Sequence, residues 1–265
     1  MSNRAQAVCV CCGSPGLTKQ HFWPNYLGSR FPDRTRLPLS NPTRFHPAID
    51  GSIIIEPIIQ PRKGTFVTSK IRKFCKACNG GWMAQIERAA QPTVLQLIDG
   101  NEFQLDEVAQ KNLASWAMLM TIVGEFTDPN SKAVSQREIT ELINTRLPPK
   151  GWHVYISRFL DGAQSLRYSH TGMSFRKKDK DSGELTLLGG TQSSSFGLGG
   201  MMLHTVSSVL LSHAEHLDSD RRDKMHKIWP ATGEQLAWPV THAFTGIEMT
   251  SVTFSGFPAL GYFGD

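Results

Sequence analysis

Two pairs of cysteines constrain this chain more than any other feature. The first lies in "CVCC" at residues 9–12 and the second in "CKAC" at residues 75–78. In each, two residues separate the outer cysteines, Cys9 from Cys12 and Cys75 from Cys78, and 62 residues lie between the pairs. Cysteines at this spacing turn both sulfurs toward one point, and a following glycine eases the turn. Gly13 follows the first pair, and Gly80 and Gly81 come just after the second. Two such knuckles supply four thiolates to one tetrahedral zinc. Buried free thiols and a redox C-x-x-C pair are the alternatives, although neither pair sits in a thioredoxin-like βαβ setting. Cys11 lies between two ligands and is read as pointing away, with replacement of Cys9 or Cys12 as its other option.

If the knuckles close on one ion, the segments they carry must meet. "GLTKQHFWPNYLG" follows the first knuckle. "GTFVTSKIRKF", rich in β-branched and aromatic residues, precedes the second and reads as a strand. "NGGWMAQIERAAQP" follows it with helical spacing, and Pro92 is the expected stop. Zinc would pin the first segment to the strand–helix junction and bring His21 near Asn79, 58 positions away.

The combination of C-x2-C-G, "TKQHFWP" and "CKACNGGWMAQIE" resembles the zinc-ribbon-containing HNH (His-Me finger) endonucleases. The resemblance covers about residues 9–90 and rests on the order of the pieces. It implies a ββα-metal core with structural zinc on Cys9, Cys12, Cys75 and Cys78. It places His21 at the general base that activates water against a phosphodiester, a task suited to an imidazole. It places Asn79 at a ligand of one catalytic divalent metal, Mg²⁺ or Mn²⁺. Gln20 stands where the family has an acid, and a hard cation prefers a carboxylate. Glu56 and Glu87 are substitutes. Glu87 is not favoured, because eight residues of helix put it roughly 80° round from Asn79. The family's middle Asn has two candidates, Asn25 and Asn41. Such modules occur in mobile-element and antiphage-defence proteins.

Charge is distributed unevenly. Residues 1–90 hold 13 Lys or Arg against 4 Asp or Glu (+9), and residues 91–265 hold 15 against 19 (−4). A basic head on an acidic body suits a polyanion, and the expected partner is nucleic acid, specifically DNA. Lys19, Arg72, Lys73 and Lys76 are the candidate phosphate contacts. Arg30, Arg34, Arg36 and Arg44 lie in the proline-rich excursion 28–64, which is open to either backbone binding or a subunit contact.

The rest of the chain reads as an α+β body, helical first and β-rich later. Residues 105–126 form a core helix, apolar around much of its girth. Ser135 and Glu138 form a capping box for the next helix. "GWHVYISRFL" and "LRYSHTGMSF" are strands. "GGTQSSSFGLGG" reads as a turn-rich connection, and His213 and His216 as residues of a surface helix. Trp82 is core rather than a stacking platform. The organisation expected is a zinc-knuckle module at 1–92 and a body at 93–265 that serves a protein partner or homo-oligomer.

With 265 residues and 40% hydrophobic content, the chain is long enough for a substantial core. No apolar run reaches membrane-span length, and no apolar leader stands at the N-terminus, so the expectation is a cytoplasmic protein. Two alternatives to the nuclease remain: a nucleic-acid-binding protein with a degenerate, inactive HNH fold, and a zinc-structured protein–protein adaptor.

Overall fold

The computed structural model describes residues 7–31, 43–47, 53–57, 70–127, 131–163, 165–178 and 185–257. The fold is mixed α+β. Its centre is a sheet in the order β10 (His226–Trp229), β6 (Trp152–Phe159), β9 (Met201–Ser208), β8 (Leu185–Leu198), β7 (Leu166–Lys178), with β12 (Ala243–Phe244) pairing β6 in parallel.

Both faces of this sheet are covered. Val154, Ile156 and Leu203 belong to the large core with Trp116 and Leu119 of helix α4 (Glu107–Glu125). Their neighbours Tyr155, Met202 and Val206 face the opposite way, against Leu217 of α6 (Leu211–Arg222) and Met249 and Val252 of α7 (Gly246–Phe254). A strand buried on two faces needs no strict polar alternation, and Val154, Tyr155 and Ile156 follow one another in β6 without it. Asp106 caps α4 by accepting from the Ala109 N–H at 2.7 Å. The expected capping box opens α5 (Gln136–Thr145): Ser135 N donates to Glu138 Oε2 at 2.8 Å, and Glu138 N donates to Ser135 Oγ at 3.3 Å.

The glycine- and serine-rich stretch that reads as a connection is instead the buried strand β8, between β7 and β9. Three of its hydroxyls find partners inside the sheet, while Ser193 Oγ is buried without one among the described residues. Ser194 donates to Gln192 Oε1 at 2.7 Å, Ser195 Oγ lies 2.7 Å from His204 Nδ1, and Thr191 Oγ1 lies 2.7 Å from Ser208 Oγ. Small residues also leave room for close neighbours: a Cβ at Gly197 would sit 2.6 Å from the Phe159 ring. Polarity suggested a turn, whereas cross-strand satisfaction of these hydroxyls makes a core strand.

The N-terminal part is built from a hairpin and a broken helix. β1 (Leu17–His21) pairs antiparallel with β4 (Lys70–Cys75), in a register that slips between Thr18 and Gln20. After β4 come the short α2 (Lys76–Cys78), a wide turn at Asn79–Met83, and α3 (Ala84–Ile98). Pro92 does not stop α3. Its ring is exposed, while Ala90, Val94 and Leu97 are fully buried, so packing of the opposite face carries the helix through. Residue 92 therefore lies inside one continuous helix, and one buried cluster runs from Cys9 through Trp116 to Val240. Phe22 and Trp23, just past β1, pack on Tyr168 and Phe196 of the sheet with ring centroids 4.9 and 6.2 Å apart. Helix α1 (Asn25–Arg30) follows, and Arg30 pairs with Asp99 rather than standing free.

In the excursion, β2 (Thr43–Pro47) and β3 (Ile53–Pro57) form a separate two-stranded ladder in which Glu56 opposes Arg44. Arg34, Arg36 and Asn41 lie outside the described residues. Strand β5 (Phe103–Leu105) pairs with β11 (Leu236–Trp238). Among the described residues, no helix is long and apolar enough to cross a membrane.

Candidate metal centre and adjoining cavity

The backbone first builds the two knuckles. Gly13 N donates to the Cys9 carbonyl at 2.8 Å, and Cys9 N donates to the Ser14 carbonyl at 2.9 Å. Gly13 has φ +72°, a left-handed conformation that glycine enters without a Cβ penalty. Val10 N bonds the Lys73 carbonyl at 3.0 Å, which fastens the first knuckle to β4. At the second knuckle Cys75 caps α2, and its Sγ accepts from Cys78 N at 3.5 Å.

These turns gather Cys9, Cys12, Cys75 and Cys78 so that their sulfurs all lie within 4.8 Å of one another. Cys12 Sγ is 3.6 Å from both Cys75 Sγ and Cys78 Sγ. Four sulfurs at about 2.3 Å from one zinc stand about 3.8 Å apart, so the set fits a tetrahedral structural metal such as zinc. Cys11 is not in the set. It is buried, and desolvation pushes its thiol up to about 12. Among the described residues no other group of His, Cys, Asp or Glu gathers in this way. His213 and His216 are neighbours on the surface helix α6, with ring centroids 6.3 Å apart.

Beside the knuckles lies a cavity of about 340 Å³, bordered by residues of β1, the start of α1, and the broken helix. His21 and Asn79 both border it, as do Gln20, Lys19, Lys76, Asn25 and Glu87. Asn79 Nδ2 donates to Thr18 Oγ1 at 3.0 Å, and Thr18 in turn donates to the Phe74 carbonyl at 3.1 Å. This relay fixes the Asn79 carboxamide and leaves its Oδ1 as the acceptor. Gln20 is 6% exposed, and its Nε2 donates to Glu87 Oε1 at 3.1 Å. The slip places two β4 residues, Arg72 and Lys73, opposite Lys19, and four consecutive residues of β1, Thr18 to His21, border one cavity.

Glu87 corrects the helical-wheel expectation. The helix is interrupted at Gly81, with φ −94° and ψ −110°, inside the wide turn. A wide turn absorbs about one residue, so eight positions behave as seven and the offset falls from roughly 80° to roughly 20°. The kink is invisible in a wheel drawn from sequence, although "NGG" is its signal. Burial pushes the Glu87 carboxyl up, and the bond from Gln20 draws it part of the way back. Tyr26, whose hydroxyl is buried without a partner among the described residues, is pushed up by its own burial and by the charge of Glu87.

The four basic candidates divide. Lys19 and Lys76 are exposed on the cavity rim. Arg72 and Lys73 are exposed on β4 but do not border the cavity, and the Lys73 ammonium lies 6.0 Å from the centre of the Phe126 ring. Trp82 is 7% exposed and belongs to the core. The cavity thus presents one carboxylate, three carboxamides and an imidazole beside two ammonium groups. Oxygen donors of this kind suit a hard divalent cation, and the lysines suit an anion. Compared with protein-family models, with curated proteins and with solved structures, the chain matches none of them.

Proposed function

We propose that this protein is an HNH-type endonuclease that hydrolyses DNA phosphodiester bonds. The observation that carries the reading is the meeting of His21 and Asn79 on one cavity. They are brought there by an antiparallel hairpin and a helix joined through four clustered cysteines. The order hairpin, knuckle, helix is that of a ββα-metal module, and a defence or mobile-element setting fits it.

In this mechanism His21 takes a proton from water as the water oxygen bonds to phosphorus. The bond from phosphorus to the leaving oxygen breaks, and that oxygen is protonated from solvent. Lys19 and Lys76 sit where they would meet the phosphate oxygens as negative charge builds. Thr18 holds the Asn79 carboxamide with its oxygen available to a cation. Mg²⁺ or Mn²⁺, when bound, would neutralise charge on the scissile phosphate.

A nicking assay on supercoiled plasmid with Mg²⁺ or Mn²⁺, run beside His21→Ala, tests the proposal. Nicking by the native protein that disappears in the variant is the expected result. Equal behaviour of both proteins would sink it. Gln20 favours a second reading, a nucleic-acid-binding protein that does not cut, because the first motif carries an amide in place of an acid. Salt-dependent DNA binding without nicking by the native protein would select that reading.

A further inference from the structure

An amide at position 20 leaves the proposed metal without its usual anionic ligand, yet the cavity is not without a carboxylate. Glu87 reaches it from α3. One of its oxygens, Oε1, accepts from Gln20, and no Lys or Arg among the described residues bonds either oxygen. The carboxylate is half-buried, and Arg88, next in the chain, acts on it only through space. Asn79 faces the same cavity with Nδ2 committed to Thr18. A half-buried carboxylate and a carboxamide oxygen bordering one hollow fit a hard cation.

We propose that Glu87 is the anionic ligand of a divalent-cation site shared with Asn79, and that Gln20 is a positioning residue holding the Glu87 carboxylate. The negative charge has moved from the strand to the helix, and the amide on the strand clamps it. This rests on the nuclease reading of the cavity for what the ion is used for, but its test does not depend on cleavage.

The test is a Mn²⁺ titration of the zinc-loaded full chain, followed by the electron paramagnetic resonance signal of free Mn²⁺. Native protein should bind one Mn²⁺. Glu87→Gln should weaken binding by about tenfold or more, with zinc content and melting temperature retained. Gln20→Ala, an independent variant, removes the clamp and should weaken binding several-fold. Absence of Mn²⁺ binding in the native protein, or equal affinity in Glu87→Gln, would overturn the proposal. So would unchanged or tighter affinity in Gln20→Ala. Nicking measured on the same samples separates the two ideas. Cleavage that survives Glu87→Gln with unchanged Mn²⁺ affinity removes the Glu87 site and keeps the nuclease. Mn²⁺ binding lost in Glu87→Gln, with no cleavage by native protein, keeps the site and removes the nuclease.

Discussion

Gln20 on β1 and Glu87 on α3 are joined by a 3.1 Å hydrogen bond across 67 positions of chain. The bond depends on two local irregularities, the slipped register in β1 and the kink at Gly81. It also depends on the β1–β4 pairing that the knuckles lie against.

Zinc content separates the cysteines. Elemental analysis should give one zinc per chain. Cys78→Ser should lose the metal and several kcal/mol of stability, because binding energy at such a site is folding energy. Cys11→Ser should keep the metal and cost about 1–2 kcal/mol at most. Loss of zinc in Cys11→Ser would show that the wrong sulfurs have been chosen.

Salt titration separates the lysines. In fluorescence anisotropy with duplex DNA and the His21→Ala background, Lys19→Ala and Lys76→Ala should each lower the slope of log affinity against log salt by about 0.9. Lys73→Ala should leave the slope unchanged, because its ammonium lies against Phe126 away from the cavity. A slope altered only by Lys73→Ala would move the DNA to another face.

Stability should fall with rising pH through Glu125. This residue is 1% exposed at the end of α4 and accepts from Ala133 N and Val134 N at 2.7 and 2.9 Å. Burial pushes its carboxyl from 4.5 up to about 8. The folded protein therefore holds a proton that the unfolded chain has released. The contribution is complete below about pH 4.5 and fades as pH rises to about 8. Glu125→Gln should remove a slope on the order of 1–4 kcal/mol across that window. Urea midpoints for the two proteins, measured from pH 4.5 to 8.5, give the comparison, and parallel curves would refute it.

Gly124→Ala should destabilise the body. A Cβ there would lie 2.3 Å from the Tyr168 hydroxyl oxygen and 3.2 Å from Phe22. The helix would have to retreat from the sheet or Tyr168 leave its place, at a cost of about 1–3 kcal/mol. Thermal melting reads this directly, and an unchanged or raised melting temperature would contradict the close approach.

Much of the secondary structure was legible because it follows local rules. The Ser135–Glu138 box, the apolar run of α4 and the bulky strand at 152–159 each carry their signal within a few residues. The hydroxyls of β8 misled for the opposite reason, since His204, the partner of Ser195, and Ser208, the partner of Thr191, become neighbours only when the sheet forms. Pro92 misled because burial of Val94 and Leu97 outweighs one lost backbone bond.

The sequence by itself determined that each cysteine pair turns its sulfurs toward one point, because knuckle spacing is a covalent matter of a few bonds; the β1–β4 pairing joins the two pairs and brings His21 and Asn79 beside them. Tertiary structure alone decided which carboxylate enters the cavity, which lysines rim it, and that α3 crosses residue 92 into the core. Those outcomes depend on a bulge, a kink and the packing of α3 and Phe22 against distant elements. Such irregularities have no period that a linear pattern can display.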